Sequence, residues 1–435
     1  IDNSAGVDLS DHEVNYKILL YRAEAAERLH GRSVHEWLEA ATDEAVTRVL
    51  GHNEAQSRCL SLDQRRCRRD PLIFLELADR LEQAGLLNRD AEAFPRDKTV
   101  LQRPDRSLTR PELAVLLALA KQAFKQRLQD RHGFLQQPFL QRFLRDYFPR
   151  GWREPLRPQI EAHPLAVAIT ATDTGNYLLD RSGSTFLTLV EADGVLLEQA
   201  VAAWLCFDAV FQAQQLRAAV HQLSDREASN GLHLRIEDAL LAGCRWFLGR
   251  GRWLLPEAER VADCSRYWQG YRHDFFPTAR ERERARLEGQ GFDAETAAAL
   301  ALLEDVDEFV VLTDLALEVQ RDFQEVARSL RAVCACLTLP ELLDRLAAAP
   351  ARSIWEERLK RGLRERLWSG AGALTRQALE LGEGDVGLLC TRPNCLQRFN
   401  RFQRFSRELA HQSKPDLAAL GAIALELEGM VEAAV

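Results

Sequence analysis

Helix punctuation recurs along all 435 residues while extended alternation of period two is nearly absent, so the chain is expected to be mainly α. Ser10 with Glu13, Ser33 with Glu36, Thr109 with Glu112 and Thr338 with Glu341 each have the spacing of a capping box, in which hydroxyl and carboxylate satisfy each other's free backbone N–H groups. Asp70-Pro71 reads as an N-cap followed by proline at the first helical position, and Leu108 with Leu113 as a hydrophobic staple. From Arg110 to Leu119 the next helix is apolar on every side, which requires that it be covered all round. Thr185 to Val190 is the best candidate strand, and a weak one.

Breaks in this pattern suggest where subdomains meet. Arg89 to Ser107, with Pro95 and Pro104, reads as a loop. Leu248 to Pro277, with Gly249, Gly251, Pro256 and Gly270, reads as an irregular connector holding Trp253 and Trp268. A second helical group is expected after Gly291, over Ala294 to Val306, Glu308 to Leu337 and Glu341 to Ala349. No apolar run approaches the ~18 residues that span a bilayer. A net charge of −8 offers nucleic acid no general positive field. The chain is therefore expected to be soluble, bound to neither membrane nor nucleic acid. Nine cysteines without Cys-x-x-Cys spacing read as reduced, mostly buried thiols rather than metal ligands. Cys334 and Cys336, two apart on a helix, point to different sides.

Several constellations suggest chemistry and fail on their surroundings. Gly382-Glu383-Gly384-Asp385-Val386-Gly387 spells the dinucleotide fingerprint, but a helical segment precedes it where a strand is needed, and its acids repel phosphate. It reads as a helix C-cap and turn. Ser10, Asp11 and His12 diverge by roughly 100° per residue on a helix and cannot converge as a hydrolytic triad. His163 before Pro164 reads as a helix-leading residue, because no second ligand lies at metal spacing. Arg65, Arg66, Arg68 and Arg69 read as a solvated face, with a subunit or anionic-effector contact as the lesser reading. Glu304, Asp305, Asp307 and Glu308 lack calcium-loop spacing.

The opening segment reads as a glycine turn feeding a capped helix. A helix N-terminus presents free N–H groups and positive dipole, Ser10 adds a hydroxyl donor for a carboxylate, and Gly6 lets a ring or ribose approach the backbone. Asn3-Ser4-Ala5-Gly6-Val7-Asp8-Leu9-Ser10-Asp11-His12-Glu13-Val14-Asn15, followed by Lys17-Ile18-Leu19-Leu20, resembles the segment that closes the catalytic domain of the large bacterial NAD-specific glutamate dehydrogenases. Thr42-Asp43-Glu44, Leu108 to Leu116, Tyr147-Phe148-Pro149 and His163-Pro164-Leu165 resemble successive landmarks of the same family. Ile169, Thr172, Asn176, Arg181, Gly183, Thr185 and Phe186 follow at the family's intervals. Leu9 stands where the family usually has Cys, Tyr16 where it has Ile, and Ala166, Val167 and Ala168 replace a charged stretch.

The resemblance implies the end of a Rossmann-type catalytic domain followed by a multi-helix C-terminal domain, and a whole enzyme that oxidises L-glutamate to 2-oxoglutarate and ammonium with NAD. Asn3 and Gly6 would meet the nicotinamide nucleotide and Ser10 the substrate's side-chain carboxylate. It further implies a cytoplasmic homo-oligomer acting in glutamate catabolism. The family's catalytic lysine, aspartate and Gly-rich loop find no match here, so no catalytic or metal residue is assigned. They are expected upstream of Ile1, in a catalytic domain of the same polypeptide; Met430 being the sole methionine, a truncated N-terminus is the simplest account. The expected division is 1–50, the edge of the catalytic domain and its closing helix; 51–105, a helical linker region; 106–250 and 251–435, the two parts of the helical C-terminal domain. The rival reading is a non-enzymatic helical interaction or oligomerisation module.

Overall fold

The computed structural model describes residues 5–29, 31–190, 195–250, 257–351, 353–381, 393–411 and 416–434. Among them there are helices and turns and no strand. The chain divides into two compact units: Ile1–Ala203 with Ser224–Asp238 and Leu255–Glu257, and Trp204–Leu223 with Ala239–Leu254 and Ala258–Val435.

The first unit begins with α1 (Ala5–Ala25), α2 (Val34–Arg69) and α3 (Pro71–Gln83). After α4 (Asp97–Leu101) come α5 (Arg110–Gln129), α6 (His132–Leu135), α7 (Pro138–Tyr147), α8 (Arg157–Glu161), α9 (Ala166–Ser182) and α10 (Phe186–Val190). Helix α1 buries His12, Tyr16, Leu19, Leu20 and Ala23, a stripe at helical spacing, and packs it on α2. Trp37, Trp152, Leu156 and Ile160 complete that core, each large apolar side chain contributing about 1.5–3 kcal/mol on burial. Ser33 and Glu36 close the expected capping box: the Glu36 carboxylate accepts from the Ser33 N–H at 2.7 Å and Ser33 Oγ from the Glu36 N–H at 3.3 Å. Thr109 and Glu112 do the same at the start of α5, and Pro71 follows the Asp70 N-cap of α3. From Arg110 to Leu119 the one exposed residue is Pro111 in the first turn, and the rest are covered as the apolar composition requires.

The second unit contains the later part of α11 (Leu197–Val210) and of α13 (Arg226–Leu248), with α12 (Ala213–His221). Helices α14 (Ala258–Asp274), α15 (Glu281–Gly289), α16 (Ala294–Leu302), α17 (Val306–Val319) and α18 (Phe323–Cys336) follow. Among the described residues the last four are α19 (Leu339–Ala348), α20 (Ile354–Leu381), α21 (Pro393–Ala410) and α22 (Leu417–Ala434). Their core centres on aromatic rings, with Trp268 edge-on to Phe211 at 4.8 Å and to Phe309 at 4.9 Å between centroids. Cys334 is buried and Cys336 exposed, as their two-residue spacing predicts.

Several expectations are corrected. Thr185 to Val190 is a turn and the short helix α10; Thr185, Phe186, Leu187 and Thr188 are all buried, and Thr188 Oγ donates to the Thr185 carbonyl at 2.7 Å in a helical back-bond. The connector from Leu248 to Pro277 is largely helix α14, with Trp268 1% exposed; Trp253 lies outside the described residues. Glu308 to Leu337 is two helices, because Gln320 ends α17 in the left-handed region at φ 52°. Thr338 is likewise left-handed at φ 49° and makes no side-chain cap, so the Thr338–Glu341 box does not form. The Gly382–Gly387 motif lies outside the described residues.

Candidate functional site

Helix α1 carries the candidate site, and it differs from the expected turn and cap. The helix already includes Gly6, and Ser10 is its sixth residue rather than its N-cap, so the Ser10–Glu13 capping box is not present. The S-x-x-E spacing is also the spacing of two residues on one helical face, and nothing between Ala5 and Ser10 forbids a helix. Gly6 and Ser10 are both exposed, Ser10 roughly 200° around the helix from the buried His12. Asn3 lies outside the described residues.

The inward side of α1 is held by the landmark segments. Tyr16 Oη donates to the Tyr147 carbonyl at 3.2 Å, and Asn15 Nδ2 donates to Tyr147 Oη at 2.9 Å. His12 stacks on the Tyr147 ring at 4.3 Å between centroids. Burial, with the Arg48 charge nearby, lowers the His12 pKa to about 4, so the ring is neutral. His163 Nδ1 accepts from the Leu165 N–H at 3.1 Å ahead of α9, which leaves Nε2 to donate to the Asn15 carbonyl at 3.2 Å. The helix-leading role expected of His163 is thus real, and it also ties α9 to α1. Glu44 accepts the Arg150 N–H at 3.0 Å just beyond Pro149. Arg48 donates to the Asp146 carbonyl at 2.6 Å and pairs with Asp173.

Behind Ser10 runs a chain of charge that the sequence did not reveal. His52 Nδ1 lies 3.0 Å from Asp8 Oδ2, its Nε2 lies 3.1 Å from Asp180 Oδ2, and Lys121 Nζ lies 2.6 Å from Asp180 Oδ1. Burial opposes charge on His52, but hydrogen bonds to Asp180 and Asp8 outweigh it and raise its pKa to about 9. Burial likewise opposes ionisation of Asp8, yet His52 holds its carboxyl below the usual range. One signal was available: Lys121 is one of only six lysines and directly follows the apolar run that ends at Ala120.

The basic run from Arg65 to Arg69 is not a solvated face throughout. Arg66 donates to the Ser182 carbonyl at 2.9 Å and pairs with the fully buried Asp63 and with Asp238, while Arg65 pairs with Glu227 and Arg69 with Asp238. The acidic cluster is likewise neutralised by arginines: Arg280 meets Glu304 and Asp305, Arg364 meets Asp307, and Arg331 meets Glu308.

Comparison with known proteins matches both parts of the chain. Residues 105–429 match the family model described as "Glutamate dehydrogenase, C-terminal", and residues 1–63 match "Bacterial NAD-glutamate dehydrogenase, catalytic domain". The chain belongs to the glutamate dehydrogenase C-terminal family. The protein named NAD-specific glutamate dehydrogenase in Pseudomonas aeruginosa is 28% identical over 405 residues, covering 88% of this chain and 24% of its own length. Its namesake in Halomonas elongata is 26% identical over 400 residues, with the same coverage. That of Mycobacterium tuberculosis is 33% identical over 260 residues, covering 59% of this chain and 16% of its own. The chain thus spans a quarter or less of the length of these relatives. Within this family frame, the catalytic-domain match takes in α1 and most of α2, so the Asp8–His52 contact lies inside it while Lys121 and Asp180 lie in the C-terminal match.

Proposed function

We propose that this chain is the C-terminal part of an NAD-specific glutamate dehydrogenase, whose reaction converts L-glutamate, NAD and water to 2-oxoglutarate, ammonium and NADH. The observation that carries the reading is the succession of the two family matches in one chain, with α1 fastened by the C-terminal landmarks. Residues 1–50 then form the edge of a Rossmann-type catalytic domain, 51–105 a helical linker, and 106–250 and 251–435 the helical C-terminal domain. Homo-oligomeric assembly and a cytoplasmic location belong to the same proposal; among the described residues no helix is long and apolar enough to cross a membrane.

The described residues fit an edge of such a site. On the outward face of α1, Gly6 leaves the backbone without a side chain in the way and Ser10 presents a hydroxyl. In this reading Asn3 and Gly6 border the nicotinamide nucleotide and Ser10 donates to the glutamate side-chain carboxylate. NAD, when bound, supplies the hydride acceptor. The protein's part at this edge is to fix the carboxylate, which orients the substrate Cα and lowers the entropy cost of the reaction. No proton-transfer role falls to these residues, so the 435-residue chain alone is expected to give no glutamate-dependent NADH.

The test is purification of the full-length gene product and measurement of NADH formation with L-glutamate. Glutamate-dependent turnover supports the reading. A full-length product without it would leave the helical assembly module as the better description.

A further inference from the structure

We propose that His52 is a positioning residue for the substrate edge, a doubly protonated imidazolium that bridges Asp8 on the Ser10-bearing helix to Asp180 and Lys121 of the C-terminal helices. The proposal rests on the reading that Ser10 contacts the substrate. Both ring nitrogens of His52 face carboxylates, Nδ1 toward Asp8 at 3.0 Å and Nε2 toward Asp180 at 3.1 Å. A neutral imidazole has one donor and one acceptor nitrogen, and would set the acceptor against a carboxylate; only the imidazolium donates to both. Asp180 is nearly fully enclosed, with its side chain 1% exposed, and a buried charge needs compensation. Lys121 meets its other oxygen at 2.6 Å. Two carboxylates, one imidazolium and one ammonium sum to zero charge, and loss of the His52 proton leaves the chain of contacts with an unbalanced anion.

The surroundings agree with this state. Facing the ring from α1 are Asp8 and His12, from α2 itself Gln56, from α5 Lys121, and from α9 Asp173 and Asp180, with Arg48 beside Asp8 and Asp173; the Lys121 charge opposes the imidazolium and the hydrogen bonds to Asp180 and Asp8 outweigh it. His12 is held neutral by burial and by Arg48, so it adds no competing positive charge. The Gln56 amide lies 3.2 Å from His52 Nε2, and Gln56 Oε1 is buried without a hydrogen-bond partner among the described residues. The two ends of an amide are isosteric, and the orientation that turns Oε1 to the ring gives that oxygen the donor it lacks.

The position along α1 gives the bridge its function. The apolar stripe that seats the helix runs from Tyr16 to Ala23, on the C-terminal side of Ser10. On the N-terminal side, Leu9 touches the edge of the core and Asp8 reaches His52. Asp8 is thus the polar anchor of the turns that display Gly6 and Ser10, and His52 transmits to them the register of α5 and α9.

The test has two independent readouts. In the 435-residue chain, ¹⁵N NMR of the imidazoles, with His52 assigned by its loss in His52→Gln, should show both ring nitrogens protonated at neutral pH. A neutral His52 there overturns the proposal whatever the kinetics. In the full-length enzyme, His52→Gln and Asp8→Asn should each raise KM for glutamate by about ten-fold to a hundred-fold while KM for NAD stays near wild type, and the double variant should be no worse than either single one. If Ser10→Ala raises KM for glutamate but His52→Gln does not, the positioning role is refuted and the substrate-edge reading stands. If Ser10→Ala leaves KM for glutamate unchanged, the substrate-edge reading itself fails.

Discussion

Replacing Gly183 by alanine should unseat the junction between α2 and α9. Gly183 ends α9 at φ 92° and ψ 169°, a region open essentially to glycine, where another residue costs about 1–3 kcal/mol. A Cβ there would also overlap the Asp63 carboxylate and come within 2.6 Å of Arg66 Nη1. Neither group can yield freely. Asp63 is fully buried and accepts from the Ser184 N–H at 3.0 Å and from Ser184 Oγ at 2.8 Å, while the same Arg66 nitrogen donates to the Ser182 carbonyl. Loss of one hydrogen bond to a charged group adds about 1.5–3 kcal/mol, so Gly183→Ala should destabilise the first unit by roughly 2.5–6 kcal/mol. Gly85→Ala is the control: φ is 70° but a Cβ would meet nothing within 4 Å, so only a backbone cost of about 1–2 kcal/mol applies. Urea denaturation of the two variants, followed by circular dichroism, compares them at equal composition. A midpoint for Gly183→Ala no lower than that for Gly85→Ala would refute the reasoning.

Stability should fall on both sides of neutrality. Folded His52, at about 9 against the ordinary 6.5, keeps a proton that the unfolded chain loses, so its contribution is complete below pH 6.5 and disappears as pH rises through 9. The shift corresponds to stabilisation on the order of 3 kcal/mol, and thermal melts of His52→Gln should lack the alkaline decline. His12, lowered to about 4, works oppositely: the unfolded chain takes up the proton first, and stability declines as pH falls from 6.5 toward 4. Glu112→Gln should cost about 1–3 kcal/mol, since it weakens two 2.7 Å contacts from Arg103 and the cap at Thr109; an unchanged denaturation midpoint would refute that role.

Local chemistry accounts for what the sequence disclosed. The boxes at Ser33 and Thr109 and the apolar composition of α5 concern residues within a few positions of one another, and the structure has them as expected. The Ser10 box failed because its spacing is equally that of one helical face, and the Thr338 box because Thr338 takes a left-handed backbone. Arg66 was read as solvated because its partners at Ser182 and Asp238 lie far along the chain. The bridge from Asp8 through His52 to Asp180 and Lys121 has the same character: four polar residues on four helices carry no shared sequence pattern. In the candidate site, Gly6 and Ser10 come from the resemblance, whereas the contacts that hold α1 from behind are visible only in the structure.

The most direct test of the account is the steady-state kinetics of Ser10→Ala in the full-length enzyme. Because Ser10 lies within α1 and is exposed, alanine removes the hydroxyl without removing a cap and favours the helix by up to about 0.5 kcal/mol. The helix itself should therefore be unaffected. Loss of a hydrogen bond to a charged carboxylate, worth about 1.5–3 kcal/mol, predicts a fall of roughly ten-fold to a hundred-fold in kcat/KM for glutamate, with KM for NAD and the circular dichroism spectrum unchanged. Wild-type kcat/KM for glutamate in this variant would contradict the assignment of α1 as the substrate edge.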